Sequence, residues 1–417
     1  MSLRRVVVTG LGALTPIGNT ADEYWQGLVR GVSGAATITK FDISKFKTRF
    51  ACEVKNFNPE NYFERKEVRK YDPYTHYGIV ASDEAIRDSG LDLSGENRER
   101  IGVIWASGIG GLDTLINEVT AFLQGDGTPR YNPFFIPKMI SDITAGHISI
   151  RYGLMGPNFA TVSACASSAN SLADAYNYIR LNKADMFVTG GSEAAINPAG
   201  VGGFNAMHAI STRNEDPATG SRPFDKDRDG FVIGEGAGAL VFEELEHALA
   251  RGAKIYCEVA GAGLSGDAYH MTAPHPEGLG AILAMRMAVE DAGISHTDID
   301  HINTHGTSTP AGDIAEAKAI ISYFGEHAYK ISINSTKSMT GHLLGAAGAI
   351  EAIATILAVK NDIVPPTINH FTDDPEIDAR LDFTFNQAKQ RKVQYALSNT
   401  FGFGGHNASL IFKKYNG

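Results

Sequence analysis

The sequence predicts an α/β protein, and three observations carry that reading. Short apolar runs alternate along the chain with longer amphipathic stretches, the pattern of strands and the helices that cover them. Gly236-Ala237-Gly238-Ala239-Leu240-Val241-Phe242 has a faint echo in His406-Asn407-Ala408-Ser409-Leu410-Ile411-Phe412, which points to a duplicated unit. Glycine, at 45 of 417 residues, exceeds its average share of about 7% and points to many tight turns and close packings.

In chain order, the first strand is expected at 5–9, where three valines follow Arg5. Further β-rich runs fall at 101–106, 186–189, 238–242, 255–259, 301–304, 331–333 and 395–399. Helical stretches are expected at 77–89, 168–181, 279–292, 314–324 and 345–359. No low-complexity linker divides the chain, and the boundary between halves is placed near 250–256, giving units 1–253 and 254–417. Gly10-Leu11-Gly12-Ala13-Leu14-Thr15 begins like a dinucleotide fingerprint. Thr15 stands where the third glycine belongs and Pro16 follows, so nucleotide binding is not expected.

Chemistry concentrates at three places. Cys165 lies in Thr161-Val162-Ser163-Ala164-Cys165-Ala166-Ser167-Ser168, where a β-branched run gives way to small residues and then a helical stretch. A thiol at a helix N-terminus meets unpaired N–H groups and the positive end of the dipole, both of which favour thiolate. Small neighbours permit a sharp strand-to-helix elbow and close approach of substrate. His305 lies in His301-Ile302-Asn303-Thr304-His305-Gly306-Thr307-Ser308-Thr309-Pro310-Ala311-Gly312-Asp313, too polar for a core segment and read as a loop. His342 follows Lys337 and precedes a Gly/Ala-rich helix suited to an interior. A nucleophile and two imidazoles suffice for acyl transfer. A Cys/His/His zinc site is the rival, but no Cys-x-x-Cys or His-x-x-x-His spacing supports it.

These motifs resemble the elongating β-ketoacyl-[acyl-carrier-protein] synthases, in particular the synthase II group of dissociated fatty-acid synthesis. The resemblance runs from Arg5-Val6-Val7-Val8-Thr9-Gly10-Leu11-Gly12 to Ser409-Leu410-Ile411-Phe412. Beside the cysteine and His305 motifs it rests on Thr336-Lys337-Ser338-Met339-Thr340-Gly341-His342-Leu343-Leu344-Gly345-Ala346-Ala347-Gly348 and Phe401-Gly402-Phe403-Gly404-Gly405. It implies a thiolase-type fold, two α/β halves stacked as five layers (α-β-α-β-α), with the nucleophile in one half and both histidines in the other.

It also implies roles. Cys165 takes the acyl chain from acyl carrier protein. The backbone N–H groups of Cys165 and Phe403 form the oxyanion hole, with Phe403 also the gate to the acyl pocket. His305 and His342 donate through Nε2–H to the enolate formed as malonyl loses CO₂. Lys337 and Glu351 support His342 and the charge balance, and Phe401 crowds the malonyl carboxylate. Thr307 and Thr309 bind the phosphopantetheine arm, and Ile109 lines the acyl pocket. No cofactor or metal is expected beyond the carrier's phosphopantetheine, and a homodimer is. A thiolase would need a second catalytic cysteine, and the initiating synthase a His/Asn pair. A type II polyketide or specialised-lipid ketosynthase would share every motif and stays open.

Two residues depart from the family pattern. His406 stands where threonine is usual, and His208 where a relative often carries an arginine facing the carrier.

Bulk properties bound the rest. Hydrophobic content of 43% with 20% charged residues is ordinary for a compact protein. A net charge of −10 argues against nucleic-acid binding and requires a local basic patch for an acidic carrier. Arg65-Lys66-Glu67-Val68-Arg69-Lys70 supplies one, read as a helix with Arg65/Arg69 and Lys66/Lys70 on a shared face. The matching segment of the family docks the carrier protein. Three cysteines suggest a reducing compartment. No signal peptide or membrane-spanning run is expected, which together place the chain in the cytoplasm.

Overall fold

The structure, a computed structural model, describes residues 3–417. Ten strands form one continuous sheet: β1 (Val6–Leu14), β2 (Ile101–Ala106), β3 (Asn158–Thr161), β4 (Met186–Glu193), β5 (Gly236–Glu244), β6 (Cys257–Gly266), β7 (His301–Asn303), β8 (Ser332–Asn334), β9 (Tyr395–Gly402) and β10 (His406–Lys413). Their order is β8-β7-β9-β10-β6-β1-β5-β4-β2-β3. The first half is therefore β3-β2-β4-β5-β1 and the second β8-β7-β9-β10-β6, the same permutation of five strands. The directions repeat as well: two parallel pairings, then two antiparallel, in each half. The faint sequence echo was thus the visible end of a full topological duplication. The halves meet where β1 pairs with β6, Val6 opposite Val259 and Val8 opposite Cys257.

Five helices complete the layers: α1 (Pro73–Asp88), α2 (Ser167–Arg180), α3 (Leu279–Ala292), α4 (Pro310–Phe324) and α5 (Ala347–Asn361). α2 packs on β4 and reaches β10; α5 packs on β9 and reaches β5. These two therefore lie between the halves, whereas α1 covers the outer face of the first and α3, with α4 beside it, that of the second. The five-layer expectation holds. The middle core joins Ile104, Leu172, Phe187, Leu240, Ile350 and Phe412, and separate cores lie under α1 and α3.

Three expectations change. The span Leu344–Asn361 is long and apolar enough to cross a membrane, contrary to the reading that no run is, but 89% of it is buried inside the protein. Its hydropathy serves the layer between two sheets. β1 runs on through Gly10 and Gly12 to Leu14, past the end expected at residue 9. A Cβ at Gly10 would lie 2.1 Å from the Ala85 carbonyl oxygen and one at Gly12 2.0 Å from that of Ala81. The glycines let α1 pack on the strand. The basic segment forms a helix only over Arg65–Val68 and Arg69 caps it, so no i, i+4 face extends to Lys70. All four cations are exposed. Lys66 pairs with Glu64 at 2.8 Å, and Lys70 sits 5.7 Å from the Phe134 ring centroid.

Candidate active site

Cys165 stands between β3 and α2 on a strained turn. Ala164 has φ 51°, in the left-handed region where a small side chain costs least. Ser167 straps the turn: its Oγ donates to the Ala164 carbonyl (2.6 Å) and accepts from the Ser163 N–H (2.9 Å). Asn170 Nδ2 donates to Ser163 Oγ at 2.7 Å. The elbow forms as expected, but the thiolate does not. Burial pushes the Cys165 thiol up to about 12, although the Lys337 charge and the Phe403 backbone N–H pull the other way. Loss of hydration outweighs the helix terminus, and the resting group is a thiol.

His342 approaches from the second half, with Nε2 3.0 Å from Cys165 Sγ. Burial, then the Lys337 charge, holds its imidazole well below the usual range, so it is neutral. Its Nδ1 accepts from the Leu344 N–H at 3.3 Å, which leaves the single proton on Nε2, facing the sulfur. His305 is also held neutral, by burial and then by Lys337 and His342. The two rings meet edge to face at 5.3 Å, and the Phe401 ring lies 5.8 Å from that of His305. Sulfur and ring nitrogens of the three residues lie within 4.8 Å of one another, close enough to hold a metal ion. The Lys337 charge, felt by all three, opposes a divalent cation there.

The His305 segment is a loop, as its polarity suggested, but one buried in the interior. Thr304, Thr307 and Ser308 are buried, and buried acids satisfy the backbone. Glu316 accepts from the N–H groups of His305 (2.9 Å) and Gly306 (2.7 Å), and Asp313 from those of Ser308 (3.1 Å) and Phe224 (2.8 Å). Lys337, 1% exposed, forms an ion pair with Glu351. Its Nζ also donates to the His305 carbonyl at 2.7 Å, so its direct contact is with His305 and not with His342. Burial raises the Glu351 carboxyl to about 7 while Lys337 pulls it down.

Phe403 is half-buried at the turn between β9 and β10, followed by Gly404 (φ 87°) and Gly405 (φ 73°). Gly402 brings this turn against the elbow: a Cβ there would lie 3.0 Å from the Cys165 nitrogen.

Above the three residues opens a cavity of about 580 Å³. Its wall includes Ile109, Thr307, Thr309, Phe401 and Phe403, and His208 also borders it. The hydroxyls of Thr307 and Thr309 are 2.9 Å apart. His406 packs its ring beside Gly404, where a Cβ would lie 2.8 Å from Nε2. Arg65, Lys66, Arg69 and Lys70 are absent from the lining.

Two residues escaped the sequence reading. Glu316 holds the His305 backbone, and Glu193, wholly buried at the end of β4, accepts hydrogen bonds from both halves. A Glu three residues after Asp313 at the start of a helix was an available clue to Glu316; Glu193 carried none.

Two family models match the chain: the N-terminal domain of β-ketoacyl synthase over residues 3–248 and its C-terminal domain over 256–371. The chain is 50% identical to proteins named 3-oxoacyl-[acyl-carrier-protein] synthase 2. The match with that of Synechocystis covers 99% of this chain and 98% of the relative, and with that of Vibrio harveyi 99% of each. Among solved structures, a β-ketoacyl synthase from Burkholderia phymatum superposes with TM-score 0.91 at 36% identity, covering 99% of this chain and 100% of that one. A type II polyketide acyl-carrier protein in complex with its ketosynthase bound to the hexaketide gives 0.91 at 34%, with the same coverage.

Proposed function

The chain belongs to the β-ketoacyl synthase family, and from that premise we propose that it is a 3-oxoacyl-[acyl-carrier-protein] synthase extending fatty-acyl chains by two carbons. The observation that carries the reading is the convergence of Cys165, His305 and His342 within 4.8 Å beneath one apolar-walled cavity.

Cys165 attacks the thioester of an acyl carrier protein. The carrier's thiol departs with the cysteine proton, and the acyl chain stays on Sγ. The N–H groups of Cys165 and Phe403 hold the oxyanion, a contribution of about 100- to 1,000-fold per donor. Malonyl carrier then places its thioester oxygen at the Nε2–H groups of His305 and His342. Its carboxylate leaves as CO₂ beside Phe401, and the electron pair of the broken C–C bond becomes the enolate. Two neutral donors stabilise that charge without surrendering their protons. The enolate carbon attacks the Cys165 thioester, the 3-oxoacyl carrier leaves, and the sulfur regains a proton from solvent.

In this reading Thr307 and Thr309 hold the phosphopantetheine arm, Ile109 meets the acyl chain, and Glu351 balances Lys337. Arg65, Lys66, Arg69 and Lys70 receive the carrier, with His208 at the rim, and no metal or other cofactor takes part. The protein works in the cytoplasm as a homodimer, which the edge strand β3 supports. In the segments flanking that strand Ile150, Met155 and Val162 are 78%, 66% and 60% exposed. A polyketide ketosynthase is the second reading, favoured by the 34% identical complex but by a lower identity than the fatty-acid relatives.

The deciding experiment loads carrier protein with medium and long chains and maps the adduct by mass. An acyl group on Cys165 is expected, absent in Cys165→Ala. His305→Ala and His342→Ala should retain that adduct and lose CO₂ release from malonyl carrier. Loss of the adduct with release intact would overturn the assignment.

A further inference from the structure

Glu193 closes β4 with 0% exposure, and its carboxylate accepts four hydrogen bonds. Oε1 takes the Ser107 hydroxyl (2.9 Å) and the Ile109 N–H (3.2 Å). Oε2 takes the N–H groups of Gly108 (2.8 Å) and Gly345 (2.9 Å). The first three donors follow β2 and carry Ile109 into the cavity wall; the fourth belongs to the second half, three residues beyond His342. Both segments need glycine to come this close. A Cβ at Gly345 would lie 2.1 Å from the Gly108 nitrogen and 2.7 Å from Glu193 Oε2.

The residue just before Gly345 is held in a costly shape. Leu344 has φ 49°, a left-handed conformation rare for a branched side chain. It is clamped from both ends: its own N–H donates to His342 Nδ1, and the next N–H to Glu193. The first of these bonds places the His342 proton on Nε2. Only an ionised carboxylate, acceptor-only with about four lone-pair sites, satisfies four such donors at once. Burial pushes this carboxyl up to about 7 even while the Gly108, Ser107, Gly345 and Ile109 donors hold it down.

We propose that Glu193 is a positioning residue that ties the Ile109 wall of the acyl pocket to the Leu344–Gly345 turn orienting His342. One buried carboxylate thereby registers the two halves of the site, the wall beside the acyl chain and a donor to the enolate. The proposal rests on the condensing reading above.

Glu193→Gln tests it. The amide's oxygen can keep Gly108 and Gly345, and its NH₂ can donate to Ser107 Oγ, but it then faces the Ile109 N–H with no acceptor. Ile109 should therefore loosen while the His342 turn stays. In the intact protein, acylation of Cys165 is followed by mass with octanoyl and palmitoyl carrier protein, beside CO₂ release from malonyl carrier. The palmitoyl-to-octanoyl ratio should fall about tenfold, as one unsatisfied buried donor implies, with CO₂ release changed less than about threefold. An unchanged ratio, or equal loss for both chains, would overturn the proposal. Should Glu193→Gln not fold, Ser107→Ala decides: it removes a donor to Glu193, with the acceptor of the Gly110 N–H, and leaves the carboxylate, and an unshifted ratio again refutes the role. Absence of any Cys165 adduct in the unaltered protein would strike the condensing reading instead.

Discussion

Replacing Lys337 by methionine removes the cation at the centre of the site while keeping most of its length. The ammonium is paired with Glu351, both side chains being 1% exposed, and donates to the His305 carbonyl. Removing one member of such a pair costs about 3–5 kcal/mol when the other stays charged. Here the survivor has an escape. Burial already holds Glu351 up at about 7 against the pull of Lys337, and without that pull its carboxyl rises further and takes a proton. The sign of the pH dependence follows. The folded chain retains a proton that an unfolded Glu, with a pKa of about 4.3, releases. This raised group loses stability as pH climbs above the unfolded value, by about 1.4 kcal/mol per pH unit until the folded pKa is passed. Lys337→Met should therefore be least destabilised at about pH 5 and most at about pH 8, relative to the unaltered protein. Urea midpoints at the two pH values measure it. The double variant Lys337→Met/Glu351→Leu should recover much of the stability and none of the condensation. Lys337 also pulls the Cys165 thiol down, so alkylation of Cys165 by iodoacetamide should slow in both variants. A destabilisation flat with pH, or a double variant condensing at the normal rate, would refute this reasoning.

Two other changes separate the roles of the site. Gly402→Ala would place a methyl 2.8 Å from the Ser163 carbonyl oxygen and 3.0 Å from the Cys165 nitrogen. It should slow acylation of Cys165 by about 100-fold or more, read by stopped-time mass spectra, and lower the melting temperature, since the methyl meets backbone atoms that must shift. Reversing charge at Lys66 and Arg69 should raise KM for carrier-borne acyl groups more than for the same groups on coenzyme A. It should also weaken the salt dependence of the carrier reaction. Equal effects on both donors would remove this segment as the docking surface.

What the sequence displayed and what it hid divide along one physical line. A nucleophile elbow, a polar segment around His305 and a Gly/Ala run after His342 are local: each needs particular residues within a few positions, so each leaves a motif. The supports are not local. Glu193 meets Gly108 across 85 positions and Gly345 across 152, and no window of sequence contains either pair. The same blindness explains the errors. The first strand was ended too early, at residue 9, because Gly10 and Gly12 break its apolar run and the helix that demands them lies at Ala81 and Ala85, outside any motif. The His305 segment looked too polar for the interior because Glu316 and Asp313, which satisfy its backbone, lie on the helix that follows. The thiol looked acidic because a helix terminus is local and burial is not. Duplication makes these long-range supports possible. Two copies of one five-stranded unit bring their corresponding edges together, and α2 and α5, the helices between them, present Cys165 and His342 from opposite sides. The nucleophile and the enolate donors come from separate halves, so their register is a property of the interface. Buried carboxylates that reach across or brace that interface are where substitutions should alter specificity without touching a reacting atom.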